Sequence, residues 1–293
     1  MGGVERQRGD VSSQGTLLLI GGAEDKVGSK VILSRFVQLA GGAAGRIAIL
    51  ATASSFQDLV GQRYQALFTA LGAGHVDVLR VGDRAQALHE EPRAQLAAAT
   101  GIFITGGDQL KLTAMLGGTP IAELIRQRHR AGAVVAGTSA GASVVADHMM
   151  AYGASGIPPR KAMMHFGPGL GLIRGVVVDQ HFGARGRAGR LMTAIAHNPE
   201  LLGIGLDEDT AAEIEASGWM TVLGRGSVLI VDGAHITYTD IHNVPDHAPL
   251  AIFDMRIHVL SAGYHYDIPN RAPHLPKETA PFPETGYVWG EGI

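Results

Sequence analysis

The sequence predicts an α/β protein: a doubly wound, mostly parallel sheet with helices on both faces and a β-rich C-terminal addition. Three observations predict it. Apolar runs of strand length alternate with amphipathic stretches of helix length from about residue 16 to residue 206, and continuous apolar strands are those buried on both faces of a parallel sheet. Glycine and polar residues collect directly after these runs, at the edge where open α/β sheets bind ligands. From about residue 210 the pattern changes to short strands broken by Gly, Asp and Asn, which reads as antiparallel structure.

The elements follow in order. Residues 1–15 read as a flexible lead-in; 16–20 form a buried strand and 29–39 a helix. Residues 46–51 are a second strand, 56–71 a helix, 75–81 a strand, 84–99 a helix and 101–105 a strand. Two helices are predicted over 109–115 and 121–130, and the strand 133–136 feeds the segment Gly137-Thr-Ser139-Ala-Gly141, after which small residues continue with helical character. Residues 151–168, rich in Gly and Pro, are expected to loop over the ligand edge. A strand at 176–178, a helix at 185–196 and a strand at 202–206 complete the alternation. Short strands are expected at 210–215, 221–223, 228–231 and 250–259. The stretch from Pro269 to Pro283 holds five of the 13 prolines and reads as an extended tail. The organisation is therefore one domain over 16–262, with a Pro-rich tail over 263–293.

Composition narrows the function. With 293 residues, 46% hydrophobic and 17% charged, the chain can bury a full globular core. Its 41 glycines and 5% aromatics indicate many tight turns around an aliphatic interior. A net charge of −3 gives no electrostatic reason for nucleic acid or an anionic membrane as a partner. The N-terminal residues lack the apolar core of a secretory signal, Arg6 stands where a myristoylation site needs Ser or Thr, and no apolar stretch reaches membrane-spanning length. With no cysteine there are neither disulfides nor thiolate metal sites, and a cytoplasmic location is expected.

The Gly137-Thr-Ser139-Ala-Gly141 segment has the G-x-S-x-G pattern of a nucleophile elbow. There a serine is raised on a tight strand-to-helix turn, near the positive end of the following helix. The Ala140 N–H would then face a developing oxyanion. Small Gly/Ser/Ala turns also join strands to helices for packing alone, so the pentapeptide does not decide. A serine nucleophile needs a base and the base an orienting acceptor. Among 13 histidines, His181 stands just past the 176–178 strand at the ligand edge; His165, in a Met- and Gly-rich loop, is its rival, and His148 falls late in the elbow helix. For the acid, Glu208 lies in Asp207-Glu208-Asp209 after the 202–206 strand, with Asp207 and Asp179 as alternatives. Gly106-Gly107 lets backbone N–H groups approach a carbonyl closely, while Asp108 is placed to cap the next helix.

Five segments occur in sequence: Gly21-Gly-Ala-Glu-Asp-Lys26, Phe103-Ile-Thr-Gly-Gly-Asp-Gln109, Gly137-Thr-Ser-Ala-Gly-Ala142, Asp179-Gln-His-Phe182 and Gly203-Ile-Gly-Leu-Asp-Glu208. Together they resemble the cyanophycinases, serine peptidases of the group that includes the aspartyl dipeptidase peptidase E. The resemblance spans roughly residues 16–262. It implies a flavodoxin-like fold related to the class I glutamine amidotransferase domain, with serine in place of cysteine. It implies a triad of Ser139, His181 and Glu208, with Gly107 and Ala140 as oxyanion donors. The chemistry implied is serine-type exopeptidase cleavage of cyanophycin, a polyaspartate with arginine on each side chain, to β-Asp-Arg dipeptides. No metal or other cofactor is implied, and a homodimer is. Gln109 and Gln180 match substrate-contacting positions; Asp179, Glu24 and Asp25 are candidates for the substrate guanidinium. Arg185, Arg187 and Arg190, on one expected helix start, are candidates for its carboxylates. An aspartyl dipeptidase, or another hydrolase of small acidic substrates, is the nearest alternative, and a non-catalytic binding protein a more distant one. Peptidase E relatives are shorter and lack the β-rich part after Glu208.

Overall fold

A computed structural model describes residues 14–276 of the chain. The first half alternates strand and helix: β1 (Leu17–Ile20), α1 (Val31–Leu39), β2 (Arg46–Leu50), α2 (Gln57–Ala70), β3 (His75–Leu79), α3 (Glu90–Ala97), β4 (Gly101–Ile104), α4 (Gln109–Leu116), α5 (Pro120–Arg130) and β5 (Val134–Thr138). Capping explains two helix starts: Asp108 accepts from the Leu110 and Lys111 N–H groups before α4, and Thr119 accepts from Ala122 N–H, with Pro120 opening α5. β1, β5, β4, β2 and β3 run parallel in that spatial order.

The apolar run of β1 serves both faces because successive strand side chains alternate. Leu18 and Ile20 join Phe36 of α1 and Phe68 of α2, whereas Leu17 and Leu19 join Leu112, Leu116 and Ile125 from α4 and α5. The first face centres on Phe36, Tyr64, Phe68 and Phe103, whose ring centroids lie 4.7–5.8 Å apart. Aromatics are few in this sequence, and the core concentrates them here.

After the elbow, helix gives out at once. α6 (Ala140–Ser143) is a single turn, and it is followed by the antiparallel hairpin β6 (His148–Gly153) and β7 (Met164–Pro168). The expected long elbow helix and the expected loop over 151–168 are thereby corrected: His148 begins a strand. β8 (Val176–Asp179), α7 (Ala188–His197), β9 (Leu202–Leu206), β10 (Thr210–Ile214), β11 (Trp219–Gly224) and β12 (Ser227–Asp232) follow, then β13 (Tyr238–Thr239), β14 (Ile252–Phe253), β15 (Arg256–Ser261), β16 (His265–Asp267) and β17 (Ala272–His274).

These later strands divide between two sheets. Among the described residues the large sheet has nine strands in the order β17-β16-β11-β10-β1-β5-β4-β2-β3, the first four antiparallel to their neighbours. A second sheet, β15-β12-β9-β8, pairs β8 and β9 in parallel. Its inner face (Val176, Val178, Ile204, Leu206, Val228, Ile230) joins the core beneath α4 and α5, and its outer face carries Val177 and Val231 against Leu191 and Ile195 of α7. The chain crosses from the small sheet to the large one between β9 and β10, over residues 207–209.

Of the expected lead-in, residues 1–13 lie outside the described residues; Gly15 N–H donates to His129 O at 2.8 Å. Of the expected tail, residues 277–293 lie outside them, and 265–274 add β16 and β17 to the edge of the large sheet. Among the described residues no helix is long and apolar enough to cross a membrane.

Candidate active site

The carboxyl ends of β1, β4, β5, β8 and β9 converge on Ser139. β5 delivers it on a strained turn, with φ 54° and ψ −116°, a conformation costing of order 1–3 kcal/mol for a non-glycine residue. The flanking glycines make the turn possible. A Cβ on Gly137 would lie 2.2 Å from Gly141 O, and one on Gly141 would lie 2.2 Å from Ile104 O. Ser139 N–H donates to Ile20 O at 2.9 Å, tying the turn to β1. Because α6 has only four residues, the helix-dipole argument for the serine carries little weight here.

Ser139 Oγ lies 2.9 Å from His181 Nε2, and His181 Nδ1 lies 2.6 Å from Glu208 Oε1. With Nδ1–H donating to the carboxylate, Nε2 presents its lone pair to the serine O–H. Three turns thus contribute one group each, and two further non-glycine residues there, His181 and Asp209, also have positive φ, 49° and 48°. Burial lowers the His181 pKa; the hydrogen bond and charge of Glu208 oppose this, while the Arg185 and Arg187 charges add to the lowering. The net lowering favours the neutral imidazole, the form that can accept a proton.

The neighbouring acids have other partners. Asp207 accepts from Gly183 N–H, Ser227 N–H and Ser227 Oγ, and Asp209 Oδ1 accepts from Asp25 N–H at 2.7 Å. Of the consecutive acids, Glu208 is the one that reaches the imidazole. His165 is placed elsewhere, its ring stacked on Tyr152 at 4.4 Å. His148 pairs with Asp147.

The Gly106-Gly107 turn lies against Ser139: a Cβ on Gly106 would stand 3.1 Å from Ser139 Cβ. Ala140 follows Ser139 directly, fully buried. Gln109, at the start of α4, donates Nε2 to Ala151 O at 2.7 Å and so holds the β6–β7 hairpin beside the site. Gln180 Oε1 lies 3.5 Å from Ser139 Oγ and accepts from Arg187 Nη1 at 3.1 Å.

The arginines depart from expectation. Arg185 and Arg187 precede α7, and only Arg185 is exposed. Arg187 and Arg190 are buried, at 8% and 4% exposure, around the fully buried Asp179. Arg190 grips that carboxylate with two nitrogens, Nε to Oδ2 at 2.6 Å and Nη2 to Oδ1, while Arg187 Nη1 reaches Oδ1 at 3.3 Å. Asp179 is thus occupied by the protein's own guanidinium groups, which corrects its expected role toward a substrate guanidinium. Two cations share one carboxylate, and Arg187 Nε is buried without a partner. Burial, partly offset by Asp179 and reinforced by the Arg190 and Arg185 charges, lowers the Arg187 pKa to about 10. The floor of the site keeps a net positive charge.

Glu24 and Asp25 are likewise occupied. Glu24 is 3% exposed and bonded to Thr138, Tyr64 and Lys26. The Asp25 carboxylate accepts from Val27, Gly28 and Lys30 N–H groups, which hold it well below the usual carboxylate range. Sequence reasoning overlooked Gly22, whose absent Cβ leaves room for the His181 ring; a Cβ there would lie 2.4 Å from the ring's Cε1. A glycine pair straight after a strand was the available signal. Among the described residues no group of three His, Asp or Glu side chains is arranged to hold a metal ion.

The model of peptidase family S51 matches residues 17–222. Proteins named cyanophycinase are 46% identical in Trichormus variabilis and 45% in a Nostoc species, each over 87% of this chain and 86% of the relative; one from Geminocystis herdmanii is 45% identical over 89% and 95%. Among solved structures, a peptidase from an acI-B1 actinobacterium superposes with a TM-score of 0.63 at 22% identity, covering 87% of this chain and 97% of the other. A putative peptidase E from Listeria monocytogenes gives 0.51 at 15%, covering 73% and 100%. At those identities the two structures bear on the fold, a mixed α/β arrangement. The chain belongs to peptidase family S51, alongside the relatives named cyanophycinase.

Proposed function

We propose that the chain is a serine-type exopeptidase that hydrolyses cyanophycin to β-Asp-Arg dipeptides through an acyl-enzyme. The observation that carries the chemistry is the continuous relay Ser139 Oγ, His181 and Glu208, closed by contacts of 2.9 and 2.6 Å. His181 Nε2 takes the serine proton as Oγ attacks a backbone carbonyl carbon of an aspartyl unit, and Glu208 steadies the imidazolium that forms. The Gly107 and Ala140 N–H groups receive the oxyanion. The C–N bond then breaks, and His181 gives its proton to the departing amine. Water, deprotonated by His181, releases the acyl group and restores the serine. Both imidazole nitrogens are used within this relay, and no step calls for a metal or organic cofactor.

Substrate recognition rests on charge. The Asp179, Arg187 and Arg190 floor and the exposed Arg185 together offer three guanidinium groups against one carboxylate, a balance suited to a substrate carboxylate. Gln109 and Gln180 border the approach to Ser139 and are read as substrate contacts. That curated relatives of this identity are named cyanophycinase supports the choice of polymer. We read the assembly as a homodimer, checkable by sedimentation, and the location as cytoplasmic, in keeping with the absence of cysteine.

The test compares cyanophycin, plain polyaspartate and Asp-Xaa dipeptides at equal enzyme, with products identified by mass. Cyanophycin should yield β-Asp-Arg; comparable turnover of polyaspartate would show that the site reads carboxylates alone and that the arginine branch is not recognised. Preference for Asp-Xaa would instead favour an aspartyl dipeptidase. Ser139→Ala should lower kcat on the order of a millionfold, and substantial residual turnover in a pure sample would sink the mechanism.

A further inference from the structure

All three turns that carry Ser139, His181 and Glu208 are held by one segment, the loop of residues 21–30 between β1 and α1. Gly21 O accepts from His181 N–H at 2.8 Å, and Gly22 O accepts from Asp209 N–H at 2.9 Å. Asp25 N–H donates to Asp209 Oδ1 at 2.7 Å. Toward the nucleophile the contact is made by a side chain: Glu24 Oε2 accepts from Thr138 Oγ1 at 2.6 Å, one residue before Ser139. The other carboxylate oxygen, Oε1, accepts from Tyr64 OH and lies 2.9 Å from Lys26 Nζ. Lys26 Nζ also stands 5.4 Å from the centre of the Tyr64 ring.

Such an arrangement is costly to build unless it fixes something. A carboxylate 3% exposed loses its hydration and needs full compensation. Burial works against the charged form of Glu24, yet the Lys26 charge and the donors from Lys26, Thr138 and Tyr64 outweigh it and keep the group below the usual carboxylate range. The charged form is thus favoured and anchored from two directions, by α2 through Tyr64 and by its own loop through Lys26. The residue it grips is the last of β5, next to a backbone held at φ 54°. A strained turn relaxes unless its neighbours over-determine it.

We propose that Glu24 is a positioning residue for the nucleophile, gripping Thr138 so that the strained Ser139 turn keeps Oγ aimed at His181 Nε2. The inference rests on reading Ser139 as the nucleophile, and it gives Glu24 a role apart from substrate binding. Losing the grip should act on the reacting geometry and not on substrate affinity. Misplacement of a reacting atom by about 1 Å can cost on the order of a hundredfold in rate.

The test uses the full chain and two readouts: kcat and KM on cyanophycin, and the rate of covalent labelling of Ser139 by a phosphonofluoridate, which needs no polymer recognition. Thr138→Val keeps the buried volume and removes the donor; Glu24→Gln keeps the length and removes the charge. Each should lower kcat and the labelling rate by about ten- to a hundredfold with KM changed less than about threefold. The double variant should be no worse than Thr138→Val alone, since Thr138→Val already removes the contact that Glu24→Gln, which keeps an acceptor oxygen, only weakens. Thr138→Ser should restore most of the rate. Tyr64→Phe, which leaves the Thr138 contact in place, should lower the melting temperature more than the labelling rate. If Glu24→Gln does not fold, Thr138→Val with its Ser rescue decides alone. Labelling of Thr138→Val at the unmodified rate, whatever its melting temperature, overturns the proposal. Failure of the unmodified chain to label at Ser139 would instead overturn the nucleophile reading and this inference with it.

Discussion

His181 carries the pH behaviour of the site. It must be neutral to accept the serine proton, and burial lowers its pKa against the opposing pull of Glu208, with Arg185 and Arg187 adding to the lowering. The neutral fraction therefore persists into more acid solution than for an ordinary histidine, whose pKa is about 6.5. Inactivation by a neutral serine-directed reagent, followed against pH, should fall on an acid limb centred below that value. Arg185→Ala removes one lowering charge, so its limb should move toward higher pH; a limb that moves the other way would contradict this account. Sequence placed Ser139, His181 and Glu208 at strand ends but left Asp207, Glu208 and Asp179 in competition. The choice depends on the twist of a turn in which Asp209 takes φ 48°, which sends adjacent side chains in different directions. No periodicity records that.

The β1–α1 loop shows the same dependence one level up. Its glycines were legible as a turn, but the reason for Gly22 lies across the molecule, in the His181 ring. Gly22 has φ 99°, and a Cβ would lie 2.4 and 2.5 Å from ring atoms. Gly22→Ala should push the imidazole off Ser139 Oγ and lower kcat by about a hundredfold, with circular dichroism retained. Near-normal kcat would mean that the ring has room to move. The β6–β7 hairpin was read as loop because Gly and Pro are dense in its turn, and α6 was read as long because its residues are small. Small residues permit a helix without requiring one. Past Ser143 the pairing of His148–Gly153 with Met164–Pro168 wins, since it supplies a partner for each strand and lets Gln109 anchor the hairpin.

Across the whole molecule, Asp179 joins parts that the chain separates widely. It ends β8, accepts Arg190 from α7 and Arg187 from the turn before it, and Arg190 Nη1 reaches Gly153 O of the hairpin at 3.1 Å. Removing one partner of a buried ionic cluster leaves charges uncompensated, at about 3–5 kcal/mol. Asp179→Asn should therefore lower the unfolding free energy by about that amount in denaturant titrations, with two buried arginines left to repel each other. A loss under about 1 kcal/mol would mean that other acceptors already satisfy them.

The sequence by itself determined the alternation of strands and helices, both faces of the large sheet and the strand-end position of Ser139, His181 and Glu208. Those properties are local, set by which side chains are apolar and where the chain must turn. Tertiary structure alone decided that β8 and β9 leave the large sheet for a second one. It decided too that Arg187, before α7, and Arg190, within it, are turned inward onto Asp179, and that Glu24 serves Thr138 instead of solvent. Each of these depends on partners between 8 and 114 residues away in the chain. Hydrophobic pattern fixes which residues are buried, whereas the pairing of buried charges is fixed only when distant turns meet.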